Sequence, residues 1–134
     1  QGFMTTELLA AALLDMELHN LTDTDNLNVV AFEKETMDKL GLIPEIAPRY
    51  RATYFSHIIG GYAAGYYSYL WAEVLDTDAF EAFKEHGVFD KNTADSFRKN
   101  ILEKGGTEDP MTLYRGFRGA DPSLEPLLKN RGLK

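Results

Sequence analysis

"TTELLAAALLDMELHNL", Thr5 to Leu21, is the stretch that sets the fold class. Thr6 reads as a helix N-cap, and every residue after it is a fair helix former. Leu8, Leu9, Ala11, Ala12, Leu13, Leu14 and Met16 place apolar groups on most sides of that helix. A helix that is apolar most of the way round is buried in something large. A chain of 134 residues offers little room for such burial. The stretch therefore predicts an all-α protein whose first helix wants more cover than a small domain gives.

The rest of the chain continues the helical pattern. "TDTDN" is a turn of Asx and Thr residues. "NLNVVAFEKETMDKLGL" reads as a second helix, with Leu27, Val30, Phe32, Met37 and Leu40 apolar and Gly41 as its C-cap. Two prolines make "IPEIAP" a loop. "RYRATYFSHII" is aromatic and β-branched enough to be strand or helix, and its period does not separate the two. Gly60–Gly61 breaks that element. Ala63 to Glu85 is helical again, in one piece or in two around Asp76–Asp78. "HGVFDKN" is a turn, Thr93 to Lys104 a helix stopped by Gly105–Gly106, and Pro110 opens a short helix at its first turn. "DPSLEPLLKNRGLK" closes with a turn or two of helix. The sum is six or seven helices, with no repeats or low-complexity segments.

Composition narrows the function classes. Residues 1–48 carry two Lys against nine Asp or Glu, a net of −7, and the remainder is neutral. A nucleic-acid binder shows a basic face, and none is present, so no nucleic-acid partner is expected. No apolar run approaches the roughly 20 residues needed to span a bilayer, and Thr5, Thr6 and Glu7 interrupt any secretory pattern, so no membrane role is expected. The absence of cysteine removes disulfides, thiolate nucleophiles and cysteine-ligated metals.

Three histidines, His19, His57 and His86, are the only imidazoles. None stands at i, i+4 from another, and there is no H-E-x-x-H, so the chain has no zinc site of the usual kind. His19 and His86 read as solvated helix-end residues. No phosphate loop and no G-x-S-x-G elbow occur.

"HIIGGYAAGYYSYLW", His57 to Trp71, is the unusual stretch, with four tyrosines and three glycines in fifteen residues. Were residues 62–71 helical, Tyr62, Tyr66 and Tyr69 would share one face. One account is a buried helix whose phenols find partners. The other is a flexible Gly60–Gly61 joint that brings phenol donors and one imidazole over a ligand. Such donors suit an oxyanion when aimed where charge develops. Only the second account explains the glycines.

These residues carry a resemblance. "FSHIIGGYAAGYYSYLWAEVLDTDAF" closely resembles the C-terminal region of the thimet oligopeptidase family of zinc metallopeptidases, and is most like its bacterial peptidyl-dipeptidase branch. "QGFMTTELLAAALLDMELH" is similar to the family's helix after the zinc site, and "ILEKGGTEDPMTLYRGFRGADPSLEPLLKNRGL" to its closing segment. The resemblance implies a large, two-lobed helical enzyme flanking a deep channel, of which this chain is the C-terminal piece. It implies zinc held upstream by an H-E-x-x-H helix and a later glutamate, so the chain alone would bind no zinc and turn nothing over. In the family a histidine followed by tyrosines five and twelve residues on faces the zinc. That pattern falls on His57, Tyr62 and Tyr69. His57 and Tyr69 are then expected to donate to the tetrahedral oxyanion, and Tyr62 to contact the peptide backbone. Tyr66 would line the channel, and Gly60 and Gly61 would let the loop close.

The substrates implied are short peptides, with release of C-terminal dipeptides favoured over endopeptidase action, which the sequence does not distinguish. A dipeptide-releasing enzyme must hold a free carboxylate, for which Arg49 and Arg51 are candidates. Their alternative is ion pairing with the acidic N-terminal part. Besides peptides, the remainder of the parent polypeptide is the expected partner, and the cytoplasm the favoured location. A second hypothesis is a stand-alone helical module that docks a partner on Leu8–Met16.

Overall fold

The computed structural model describes residues 1–134, which divide into two units, Gln1–Leu70 and Trp71–Lys134. All regular structure is helical, in six α-helices with three short 3₁₀ or π turns.

The first unit opens with α1 (Gly2–His19). Its N-cap is Gln1 rather than Thr6. The Thr5 and Thr6 hydroxyls turn back to the carbonyls of Gln1 (3.0 Å) and Gly2 (2.9 Å), so the helix starts a turn earlier than the capping pattern predicts. Ala10, Ala11, Ala12, Leu14 and Asp15 are buried. Leu9, Leu13 and Met16, spaced to share one stripe, are exposed. The helix is thus apolar on both its packed and its open side.

In α2 (Val29–Lys39), the Asn28 side chain accepts from the Ala31 N–H. The helix ends where Gly41 takes φ +65° and its N–H donates to Asp38, as the C-cap reading requires. The ambiguous "RYRATYFSHII" is neither strand nor α-helix. It forms two 3₁₀ turns, Ala52–Tyr54 and Ser56–Ile59. Phe55 between them is fully buried, and with Ala11, Ala12, Ile58 and Tyr66 it makes the core, flanked by Leu8, Leu18 and Tyr50.

The helix expected from Ala63 begins instead at Ser68, as α3 (Ser68–His86). Residues 60–67 are successive turns, with i→i+3 bonds such as Gly65 to Tyr62 (2.9 Å) and Ser68 to Gly65 (2.9 Å). Ala64 lies in the left-handed region at φ +51°, which no α-helix accommodates.

In the second unit α3 runs without a break through Asp76–Asp78. The Thr77 hydroxyl bonds back to the Glu73 carbonyl within the same helix (2.6 Å). Asp90 and Asp109 cap α4 (Lys91–Phe97) and α5 (Pro110–Arg118) through the Thr93 and Thr112 N–H groups. α4 widens into a π turn over Arg98–Leu102, and α6 (Glu125–Asn130) ends the fold. Val74, Ala79, Ala82, Leu113, Tyr114 and Leu127 are its buried apolar residues. Phe83, Phe97 and Phe117 meet at centroid distances of 5.2–6.2 Å. They line an open apolar cleft of about 480 Å³ that holds none of the expected site residues.

Candidate functional site

His57, Tyr62, Tyr66 and Tyr69 converge in the first unit although residues 62–67 are not helical. The His57 ring lies 6.0 Å from Tyr62, 5.3 Å from Tyr66 and 6.1 Å from Tyr69, centroid to centroid. Tyr62 and Tyr69 stack at 5.1 Å with an interplanar angle of 20°. Tyr66 meets Tyr69 edge-on, also at 5.1 Å. The turns thus bring together the side chains that a helix would have put on one face.

The four residues do not occupy equivalent places. Tyr66 is 3% exposed and packs on Phe55 at 4.9 Å, so its ring is core. Tyr62 and Tyr69 are each 41% exposed, and their hydroxyls interact with each other. His57 is half-buried; its Nδ1 is buried without a hydrogen-bond partner. Tyr50 and Phe55 close the cluster from below, Tyr50 lying 4.8 Å from the His57 ring.

The electrostatics keep the phenols protonated. Interaction with the Tyr62 hydroxyl, then burial, then the Tyr62, Tyr66 and Tyr50 phenols push Tyr69 up to about 12. Burial raises Tyr66 as well, partly offset by the Arg49 guanidinium. Both groups therefore remain O–H donors at neutral pH.

Arg49 and Arg51 separate clearly. Arg51 Nε pairs with Glu33 at 2.6 Å, and the Glu33 carboxylate also accepts from the Ala52 N–H at 2.7 Å. Arg51 is thus engaged with the acidic N-terminal part. Arg49 is exposed, 5.9 Å from the Tyr50 ring centroid, and pairs with no carboxylate. Gly60 and Gly61 have open space where a Cβ would stand, and neither has a left-handed φ. Space around the two Cα atoms does not require glycine there.

Two buried carboxylates that sequence reasoning passed over hold this region. Asp15 on α1 is fully buried and accepts from the N–H groups of Ala64 (3.0 Å) and Tyr66 (2.9 Å). His19 Nδ1 lies 2.9 Å from Asp15 Oδ1. Glu33 on α2 anchors the first 3₁₀ turn in the same manner. A signal existed for Asp15: it shares a helix face with Ala11 and Leu18, both of which pack in or on the core.

Comparison with known proteins decides the lineage. The model of "Peptidase family M3" matches residues 1–133. The chain belongs to peptidase family M3. Dipeptidyl carboxypeptidase of Escherichia coli (strain K12) is 44% identical over 140 residues, covering 99% of this chain and 20% of that protein. Oligopeptidase A of Haemophilus influenzae (strain ATCC 51907 / DSM 11121 / KW20 / Rd) is 42% identical over 127 residues, 93% of this chain and 19% of the relative. Oligopeptidase A of E. coli K12 is 57% identical over 81 residues, 60% of this chain and 12% of its own length. The chain thus spans about one fifth of the length of the first two of these relatives. Membership of family M3 bears out the resemblance in the sequence. Relatives named dipeptidyl carboxypeptidase and oligopeptidase A both match.

Zinc, implied by the family, finds no seat among these residues. No group of three or more His, Cys, Asp or Glu side chains is placed to hold a metal ion. His19 and His86 bond to backbone carbonyls of their own helices, and aromatic rings surround His57. No helix is long and apolar enough to cross a membrane.

Proposed function

We propose that this chain supplies the substrate-facing and oxyanion-stabilising part of an M3 peptidase that hydrolyses short peptides. The metal and general base would come from residues other than these, so the chain alone would neither hold zinc nor turn over. The supporting observation is the convergence of His57, Tyr62 and Tyr69 over a packed aromatic base, with both phenols exposed and the His57 Nδ1 without a hydrogen-bond partner. Accessible donors over a packed base suit charge that arises only in the transition state. In this reading Tyr69 and His57 donate to the oxyanion. Tyr62 donates to the peptide backbone, and Tyr66 supports the row from below. Gly60 and Gly61 allow the turn to close over substrate.

Arg49 is the residue of the pair free to hold a substrate carboxylate, and that favours release of C-terminal dipeptides. Arg51 is bound to Glu33 and acts as a brace.

Tyr69→Phe in the full-length enzyme tests the proposal. The substitution removes one oxygen, so kcat is expected to fall by about 10²–10³, roughly 3–4 kcal/mol, with KM little changed. A kcat within about threefold of the parent, under 1 kcal/mol of barrier, would remove Tyr69 from the reaction.

A further inference from the structure

We infer that Asp15 is a positioning residue for Tyr69, acting from α1 through the backbone of the turn that precedes α3; this deepens the function proposed above and rests on it. Residues 60–67 have no helix to define them, and Ala64 sits in the left-handed region at φ +51°. A left-handed residue in a turn makes nearby N–H groups converge on one point, a geometry that takes an anion. Here the anion is internal. Asp15 Oδ1 takes the Ala64 N–H at 3.0 Å and Asp15 Oδ2 takes the Tyr66 N–H at 2.9 Å. Neither of those amides has a backbone acceptor.

The consequence lies three residues on. Tyr66 is the last clamped residue, α3 begins at Ser68, and Tyr69 is the second residue of that helix. The Tyr69 N–H reaches back to the Tyr66 carbonyl at 3.3 Å. Asp15 therefore sets where the first turn of α3 starts and in which direction the Tyr69 ring leaves it. α1 suits the task because Asp15 stands on its buried side among Ala11, Ala12 and Leu14. Both carboxylate oxygens are needed. Asparagine would keep one acceptor and turn its amide N–H₂ toward a backbone N–H. A misplacement of about 1 Å at a reacting group can cost on the order of 10²-fold in rate.

The test compares Asp15→Asn, Tyr69→Phe and the double substitution in the full-length enzyme, with kcat and KM expressed per folded molecule. Asp15→Asn is expected to lower kcat by about 10- to 100-fold with KM within about threefold. The double variant should be scarcely slower than Tyr69→Phe alone, because a donor already absent cannot be misplaced. A purely structural Asp15 would lower the melting temperature, leave kcat per folded molecule near the parent's, and multiply independently with Tyr69→Phe; either kinetic result overturns the inference. Loss of activity in Tyr69→Phe with none in Asp15→Asn overturns the positioning role alone. Parental kcat in Tyr69→Phe overturns the function reading and the role of Asp15 with it. Should Asp15→Asn not fold, amide hydrogen exchange in the unsubstituted enzyme decides. The Ala64 and Tyr66 amides should exchange at least about tenfold more slowly than those of Gly61 and Tyr62, as buried, side-chain-bonded groups do. Equal rates would overturn the clamp.

Discussion

The two units use buried carboxylates differently. In the first, Asp15 and Glu33 accept from backbone N–H groups at Ala64, Tyr66 and Ala52, besides facing the His19 and Arg51 side chains. In the second, buried Asp78 accepts from a side chain, the Tyr114 hydroxyl at 2.5 Å, and faces Arg118 Nε at 3.4 Å. Backbone regularity accounts for the contrast. Helices satisfy their own amides, so a carboxylate between α3 and α5 is left to pair with side chains. The turns over 52–67 leave amides unmatched, and a buried carboxylate is the cheapest acceptor of two at once. The phenols differ as well: the Tyr114 hydroxyl is buried on Asp78, while the exposed Tyr62 and Tyr69 hydroxyls meet each other.

The largest effect on stability should come from Asp78→Ala. It strands the Tyr114 hydroxyl and removes one of the two carboxylates that face Arg118, and about 3 kcal/mol should be lost in urea unfolding of the full-length enzyme. A loss below about 1 kcal/mol would mean that the second unit does not depend on its side-chain pair. Tyr114→Phe comes next, at about 1–2 kcal/mol, because buried Asp78 loses a donor. Its kcat per folded molecule should stay at the parent value, opposite to Tyr69→Phe. Were both phenols to behave alike in kinetics, the distinction between the buried Tyr114 and the exposed Tyr69 hydroxyl would collapse. The smallest effects divide the arginines. Arg51→Gln should cost about 1 kcal/mol of stability through Glu33, which is 4% exposed at its side chain. Arg49→Gln should leave stability unchanged and raise KM about tenfold for peptides with a free C-terminus, but not for C-terminally amidated ones. Equal KM changes for both peptide types would remove the carboxylate role of Arg49.

Local chemistry made the second unit legible. Gly105, Asp109–Pro110 and Gly119 punctuate its helices where turn and capping rules place them, and helix period fills the rest. The cluster of His57, Tyr62 and Tyr69 was legible through resemblance and then through spacing, although a helix was the wrong reason for their meeting. Residues 52–67 escaped because their structure is not local. Propensity favours helix after Gly61, but Asp15, some fifty residues away in sequence, offers the Ala64 and Tyr66 amides a better acceptor than helical carbonyls would. Around Asp76–Asp78 the sequence left one helix or two open; the helix is one, with the Thr77 hydroxyl on the Glu73 carbonyl and Asp78 accepting from Tyr114.

The clamp is one-sided. Ala64 and Tyr66 are tied to α1, whereas the amides of Gly60, Tyr62 and Ala63 have only partners within their own turns, at 3.2–3.4 Å. In the closure proposed above, the segment would act as a lever with its fulcrum at Ala64 and its free arm toward Gly60. Swinging that arm would carry Tyr62 while Tyr69, beyond the fulcrum, stays seated, so the distance between the two stacked rings, 5.1 Å here, would gauge how far the arm has swung.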